Sequence, residues 1–189
     1  MGKAVFSEFE LRAMGFKFEG EESYSPVNCV GSSEETMNTK IIKKKCRGVV
    51  VKEVVKGDGT GILKITAHIP YEVYTKMYGM TLEGLIKGVQ AYGQNSIHKS
   101  MSIAQDVYDE DGNEKLKAYP NCILETGVSR KIENGAEEVA ELELEIAIMP
   151  DDDGNGMYEM IVDDLDSGHE NVKNQWMTAF SPELVKADE

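Results

Sequence analysis

The sequence predicts a mainly β protein: an antiparallel β-sandwich or barrel with one short flanking α-helix. Three observations predict it. Segments that alternate apolar and polar residues recur at short spacing, Gly, Asp and Asn punctuate them, and a single short stretch carries both a helical start and a helical stop. The 189 residues read as one domain, long enough to bury a core. A hydrophobic content of 41% beside 29% charged residues excludes a globally disordered chain. No apolar run approaches the roughly 18 residues that span a bilayer, and the first residues lack the apolar centre of a signal peptide.

In chain order, residues 5–18 alternate loosely and read as a strand bent at Gly15. Residues 19–33 are polar, with Pro26 and Gly31, and read as loop. With the start of the basic run that follows, about residues 1–45 form an N-terminal arm or long loop. The basic run holds Lys40, Lys43, Lys44, Lys45 and Arg47 within eight residues. One reading is a solvated strand edge on which lysines block unwanted pairing. A second is a docking patch for an acidic surface on another copy. Nucleic-acid binding ranks behind both, because no interleaved aromatic residues accompany the lysines.

Residues 48–79 are the centre of the pattern. Val49, Val51 and Val55 mark one strand; Leu63, Ile65, Ala67 and Ile69 mark the buried face of the next. The intervening Lys56-Gly57-Asp58-Gly59-Thr60-Gly61 predicts a hairpin turn. Pro70 then starts a helix and Gly79 ends it. Tyr71, Tyr74 and Tyr78 share a helical face, and Glu72 and Lys76 pair at i, i+4. Residues 80–93 carry helical spacing at Leu82, Leu85, Ile86 and Val89, but also Gly84, Gly88 and Gly93, so their conformation stays open.

Strands follow at 96–108 and 122–131, separated by the turn at 109–114 and the short segment 115–119. Residues 137–149 give the most regular alternation, with Leu142, Leu144, Ile146 and Ile148 on one face and Glu141, Glu143 and Glu145 on the other. A turn at 150–156 leads to a strand at 157–162. From about residue 165 the chain reads as a C-terminal arm holding the sole tryptophan, Trp176, with Met177 and Phe180 nearby. This aromatic cluster either tucks into the core or anchors the arm to a neighbouring copy.

The charge is divided along the chain. The net charge is −14; residues 1–130 hold 17 basic and 17 acidic residues, whereas 131–189 hold 3 and 17. An acidic chain of this kind does not attract nucleic acid, which needs clustered positive charge to release counterions. Three widely spaced cysteines, Cys29, Cys46 and Cys122, predict reduced thiols rather than a disulfide framework or a zinc site. No catalytic motif is present, and His68, His98 and His169 read as surface residues. The carboxylate-rich stretches 109–114 and 151–155 lack the ligand order of a calcium loop and read as turns. The glutamate alternation at 141–145 reads as an exposed strand face rather than a glycosidase pair. The expectation is a non-enzymatic protein without cofactors.

The stretch GILKITAHIPYEVYTKMYGM, followed by the DEDGNEK turn, KAYPNCILETG, ELELEIAIM, DDDGNG and MYEMIVDD, resembles the major tail proteins of long-tailed bacteriophages of Gram-positive bacteria. The resemblance covers roughly residues 35–165 and lies in the order and texture of segments. It implies a tail-tube-like domain over 1–189 and a virion structural protein, synthesised in the host cytoplasm. Such a protein assembles with itself into stacked hexameric rings, a conduit for DNA that passes without specific binding. It also implies a tape measure protein, a tail terminator and a distal tail protein as partners, and no membrane. Within that frame Glu141, Glu143 and Glu145 are candidate lumen-lining acids. Lys40, Lys43, Lys44, Lys45 and Arg47 are a candidate inter-subunit or inter-ring patch, and Trp176 and Phe180 candidate arm anchors. The alternatives are a tube subunit of a related contractile injection or secretion particle, and a monomeric β-sandwich module binding carbohydrate or protein.

Overall fold

The computed structural model describes residues 5–135 and 137–187. The first strand, β1 (Glu10–Phe18), pairs with the short β2 (Ser25–Val27). Two very long strands follow, β3 (Val30–Cys46) and β4 (Val49–Ala67), joined by a two-residue turn. Helix α1 (Tyr71–Met77) comes next, then β5 (Met101–Tyr108), β6 (Glu114–Leu124), β7 (Leu142–Met149) and β8 (Tyr158–Ile161). A second helix, α2 (Glu170–Ala179), lies near the end of the chain, beyond the single helix that the sequence predicts.

The sheet is antiparallel throughout and runs β2-β1-β5-β6-β7-β4-β3, with β8 added to β6. Strand β6 belongs to two ladders. Its first half pairs with β8 at Lys115–Ala118, and its last residues pair with β7 at Asn121–Leu124. The register shifts between these halves, at Pro120, where the missing N–H is tolerated. This bend folds the sheet into two layers and brings β3 back against β1. The main core lies between the layers: Phe16 from β1, Ile103 from β5, Tyr119 from β6, and Leu63, Ile65, Leu144 and Ile146 from β4 and β7. Val73, Tyr74, Met77 and Tyr78 of α1 close it at one end.

The outer face of the β1–β5–β6 layer is covered by α2. Val172, Trp176 and Phe180 pack there on Ala104, Leu116 and Ala118. The Trp176 indole N–H donates to the Lys117 carbonyl at 3.1 Å. The aromatic cluster at the C-terminus therefore holds that segment to its own sheet. Among the described residues, no helix covers the outer face of β3–β4–β7.

The turn predicted at 56–61 is not a turn. Strand β4 runs unbroken through it, and the chain reverses instead at Arg47-Gly48, with φ of 49° and 83°, the left-handed pair a two-residue hairpin needs. Gly59 and Gly61 serve close approach, and Gly59 also takes a left-handed φ of 78°. A Cβ on Gly61 would sit 2.6 Å from the Thr36 carbonyl oxygen, and one on Gly59 would sit 2.5 Å from that of Gly154. A register shift between Met37 and Thr39 takes up residues 58–60 as a bulge, which keeps the strand continuous. The expected N-terminal arm is likewise largely strand, since β1, β2 and nearly all of β3 fall within it. Residues 80–93 form turns without a helix, and the strands predicted at 96–108 and 122–131 are displaced to Met101–Tyr108 and Glu114–Leu124.

The registers give the body two poles. Val30, Ala67, Leu142 and the entry to α1 lie at one end, from which segments 81–100 and 125–141 emerge. The β3–β4 hairpin leaves from the other, beside the turns at 109–113 and 150–156.

Candidate functional site

The candidate site is the projecting hairpin, its root, and the uncovered sheet face behind it. Beyond Met37 the hairpin contacts little of the body: between residues 38 and 58 every side chain is exposed except the half-buried Val54. Eight residues of β3 run from Thr39 to the tip, roughly 25 Å at strand rise. Ile41, Ile42, Val49, Val50, Val51 and Val55 are all exposed along it.

Cross-strand pairing sorts its charges. Lys40 lies opposite Lys56 and Lys44 opposite Lys52, with Ile42 and Val54 between them on the same face. Like charges facing across a strand pair are unfavourable. Among the described residues, Lys43 is the one hairpin cation in a salt bridge, with Glu53 at 3.4 Å. Residues 40–56 hold seven basic side chains and one acidic one. The candidate patch Lys40, Lys43, Lys44, Lys45 and Arg47 is thus joined in space by Lys52 and Lys56, which the linear run does not contain.

The root of the hairpin is fixed by an ionic knot built on one buried lysine, which the sequence does not announce. Lys117 is 3% exposed. Its Nζ donates to Glu35 of β3, and to Glu8 Oε1 at 3.1 Å. The Tyr119 hydroxyl donates to the other Glu35 oxygen, and Gln105 Nε2 donates to Ser33 Oγ at 2.8 Å. No backbone ladder joins β1 to β3, so these side chains close the seam between the two layers. Burial opposes the Lys117 charge, but Glu35 and Glu8 outweigh it and hold the ammonium above its ordinary range. Burial likewise raises Glu8, yet Lys117 and Lys115 bring it below the usual carboxylate value. The Tyr119 hydroxyl is raised, by burial first and by Glu35 second. The one sequence signal was a lysine at 117 among Leu116, Ala118 and Tyr119.

The uncovered outer face of β3–β4–β7 is polar. Lys64 lies between Glu34 and Glu145 in register, and Thr66 between Ser32 and Glu143. Two of the candidate acids, Glu143 and Glu145, stand on this face. Glu141 precedes β7, and its carboxylate lies where a Cβ on Gly31 would fall. Trp176 and Phe180, the other candidates, are buried on their own sheet, 4.6 Å between ring centroids, and are remote from the hairpin face.

In comparisons with known proteins, no protein-family model and no curated protein matches this sequence. Among solved structures, the chain is similar to one from the six-fold symmetrised anti-feeding prophage baseplate. The TM-score is 0.44 at 11% identity, covering 86% of this chain and 99% of that one. It is also similar to one from the cap that terminates the anti-feeding prophage tube, with a TM-score of 0.45 at 9% identity, covering 86% and 96%. Overlap at this level assigns no function.

The acidic turns carry their own explanation. Asp151 Oδ1 accepts the backbone N–H groups of Asp153 and Asn155 at 3.0 and 2.9 Å, and its Oδ2 accepts the Tyr158 hydroxyl at 2.6 Å. Asp109 does the same for Asp111 and Asn113. These are Asx-type turns, and the described residues contain no group of three or more side chains arranged to hold a metal. Cys122 is buried, which pushes its thiol up, away from reactive thiolate. His68 and His169 are exposed; His98 is half-buried, its Nδ1 2.7 Å from the Leu124 carbonyl.

Proposed function

We propose that this chain is a structural subunit that assembles with itself into stacked rings, the tube of a phage tail or tail-like particle. The observation that carries the reading is the projecting hairpin. A two-stranded ribbon with exposed Ile41, Ile42, Val50 and Val55 and facing lysine pairs is marginal alone in water, and an exposed apolar edge invites pairing. Its geometry makes sense as half of an interface. A patch that meets a different patch on the next copy gives a heterologous contact, which closes into rings or propagates as a filament.

The uncovered face of β3–β4–β7 supports the second part of the reading. Six copies placing Glu145 inward give a ring of carboxylates, to which passing DNA does not adhere. Helix α2 covers the opposite layer, leaving it to face outward.

Negative-stain electron microscopy and sizing across a concentration series test the proposal. Wild-type protein is expected to give rings or tubes, and a variant with residues 41–54 replaced by a short turn is expected to stay monomeric and folded. Wild-type monomers at every concentration, in low and high salt, overturn it and favour a binding module.

A further inference from the structure

A cleft of about 1100 Å³ opens beside residues 129–132 and 138–143, at the pole opposite the hairpin. We propose that the hairpin tip of one copy, residues 44–52, seats in this cleft on a second copy. The inference rests on the self-assembly reading above and names its contact.

Charge argues for this occupant. The cleft is lined by Glu138, Glu141 and Glu143. Of its two lining cations, Lys131 pairs with Glu133 at 2.9 Å, and Arg130 is turned to Tyr74, its Nε donating to the hydroxyl at 2.8 Å, so the three carboxylates leave the lining net negative. The cleft thus offers carboxylates to a tip bearing Lys44, Lys45, Arg47 and Lys52, whose cations have no carboxylate partner among the described residues. Apolar surface matches as well. Ile132 and Val139 are 89% and 81% exposed at the cleft, and Val49 and Val51 are 65% and 56% exposed at the tip. Two hairpins brought face to face set lysine against lysine, so charge opposes a symmetric contact and favours tip into cleft. Because the two surfaces lie at opposite poles, each docked copy presents a fresh tip, and the contact repeats in one direction.

The chain carries its own test. Cys46 is exposed at the tip, and Cys29 is exposed beside the cleft, its carbonyl accepting the N–H of the cleft residue His68 at 2.9 Å. Oxidation of the full chain with copper–phenanthroline is expected to give a ladder of multimers through Cys46–Cys29 disulfides, identified by peptide mapping. Cys29→Ser and Cys46→Ser are each expected to abolish the ladder. Mixing the two variants is expected to restore a single dimer band, because each then supplies one partner. Glu141→Lys is expected to slow linkage about tenfold, as loss of a complementary charge does. Rings or tubes without the mixed disulfide, or linkage through Cys46–Cys46, overturn the docking and leave assembly standing. A chain that stays monomeric and unlinked at every concentration overturns both.

Discussion

Lys117 and Glu35 meet at the seam between β1 and β3, where the sheet has no ladder, and with the Tyr119 and Gln105 hydrogen bonds they fix the root of the hairpin to the middle of the body. Lys117 is buried but its carboxylate partners Glu35 and Glu8 keep 26% and 44% of their side-chain surface in solvent, so removing the lysine costs about 1–3 kcal/mol. Lys117→Met is expected to lose stability of that order in urea unfolding. Adding Glu35→Gln is expected to recover part of it, because the stranded carboxylate is then gone.

Trp176→Ala removes the largest fully buried side chain. A loss of about 3–5 kcal/mol is expected from the cavity and the lost transfer energy. Hydrogen exchange should localise the change: amides of α2 and of β5 lose protection, whereas those of β4 and β7 keep theirs.

Gly57 and Gly61 sit in the same strand and predict opposite outcomes. Gly61→Ala drives a Cβ to 2.6 Å from the Thr36 carbonyl oxygen, a backbone atom, and is expected to cost about 1–3 kcal/mol. A Cβ at Gly57 meets nothing within 4 Å, and Gly57→Val is expected to be neutral or to stabilise by up to about 1 kcal/mol. Thermal melts of the two variants check both.

This pair also shows how much was legible in the sequence. Alternation in Leu63, Ile65, Leu144 and Ile146 identified the core strands, because period two is written residue by residue. The helix at Tyr71–Met77 was legible from Pro70 and Gly79. The run at 56–61 misled because a glycine needed for close approach and a glycine needed for a turn look the same. Which one is present depends on Gly154 and Thr36, distant in sequence. The ionic knot was hidden for the same reason: Glu8, Glu35 and Lys117 are ordinary surface letters until the sheet folds back on itself. Trp176 was visible as an aromatic cluster, but not which surface it would cover.

Asp106 predicts a pH dependence. Burial, helped by the nearby Glu114 charge, pushes its carboxyl up to about 6 against the opposing pull of Arg12, Lys173 and a Tyr108 hydrogen bond, and its Oδ1 has no hydrogen-bond partner among the described residues. The folded state therefore holds this proton more tightly than the unfolded chain, so its contribution to stability falls as pH rises from about 4 to about 6. Asp106→Asn is expected to stabilise by about 1 kcal/mol at pH 7, after solvent screening, and by little at pH 4. Urea unfolding at the two pH values checks it.

Lys44→Glu separates stability from assembly. It converts the Lys44–Lys52 opposition into an attractive pair, which is expected to firm the isolated hairpin by about 0.2–1 kcal/mol. The same change removes a positive charge from the tip, and sizing is expected to show weaker self-association.

The unbroken course of β4 has a mechanical consequence. From Val49 at the tip to Ala67 beside α1 the strand has no chain reversal, and the bulge at residues 58–60 is its main interruption. Its ladder bonds to β3 and β7 lie across the strand axis. A pull along the hairpin moves β3 and β4 together and so loads the β4–β7 bonds of Gly61–Ala67 together in shear, rather than peeling them one by one. Tension applied at one pole is delivered to Leu63 and Ile65 in the interior, and a row of such chains would carry load as a cable carries it, through continuous fibres rather than through joints.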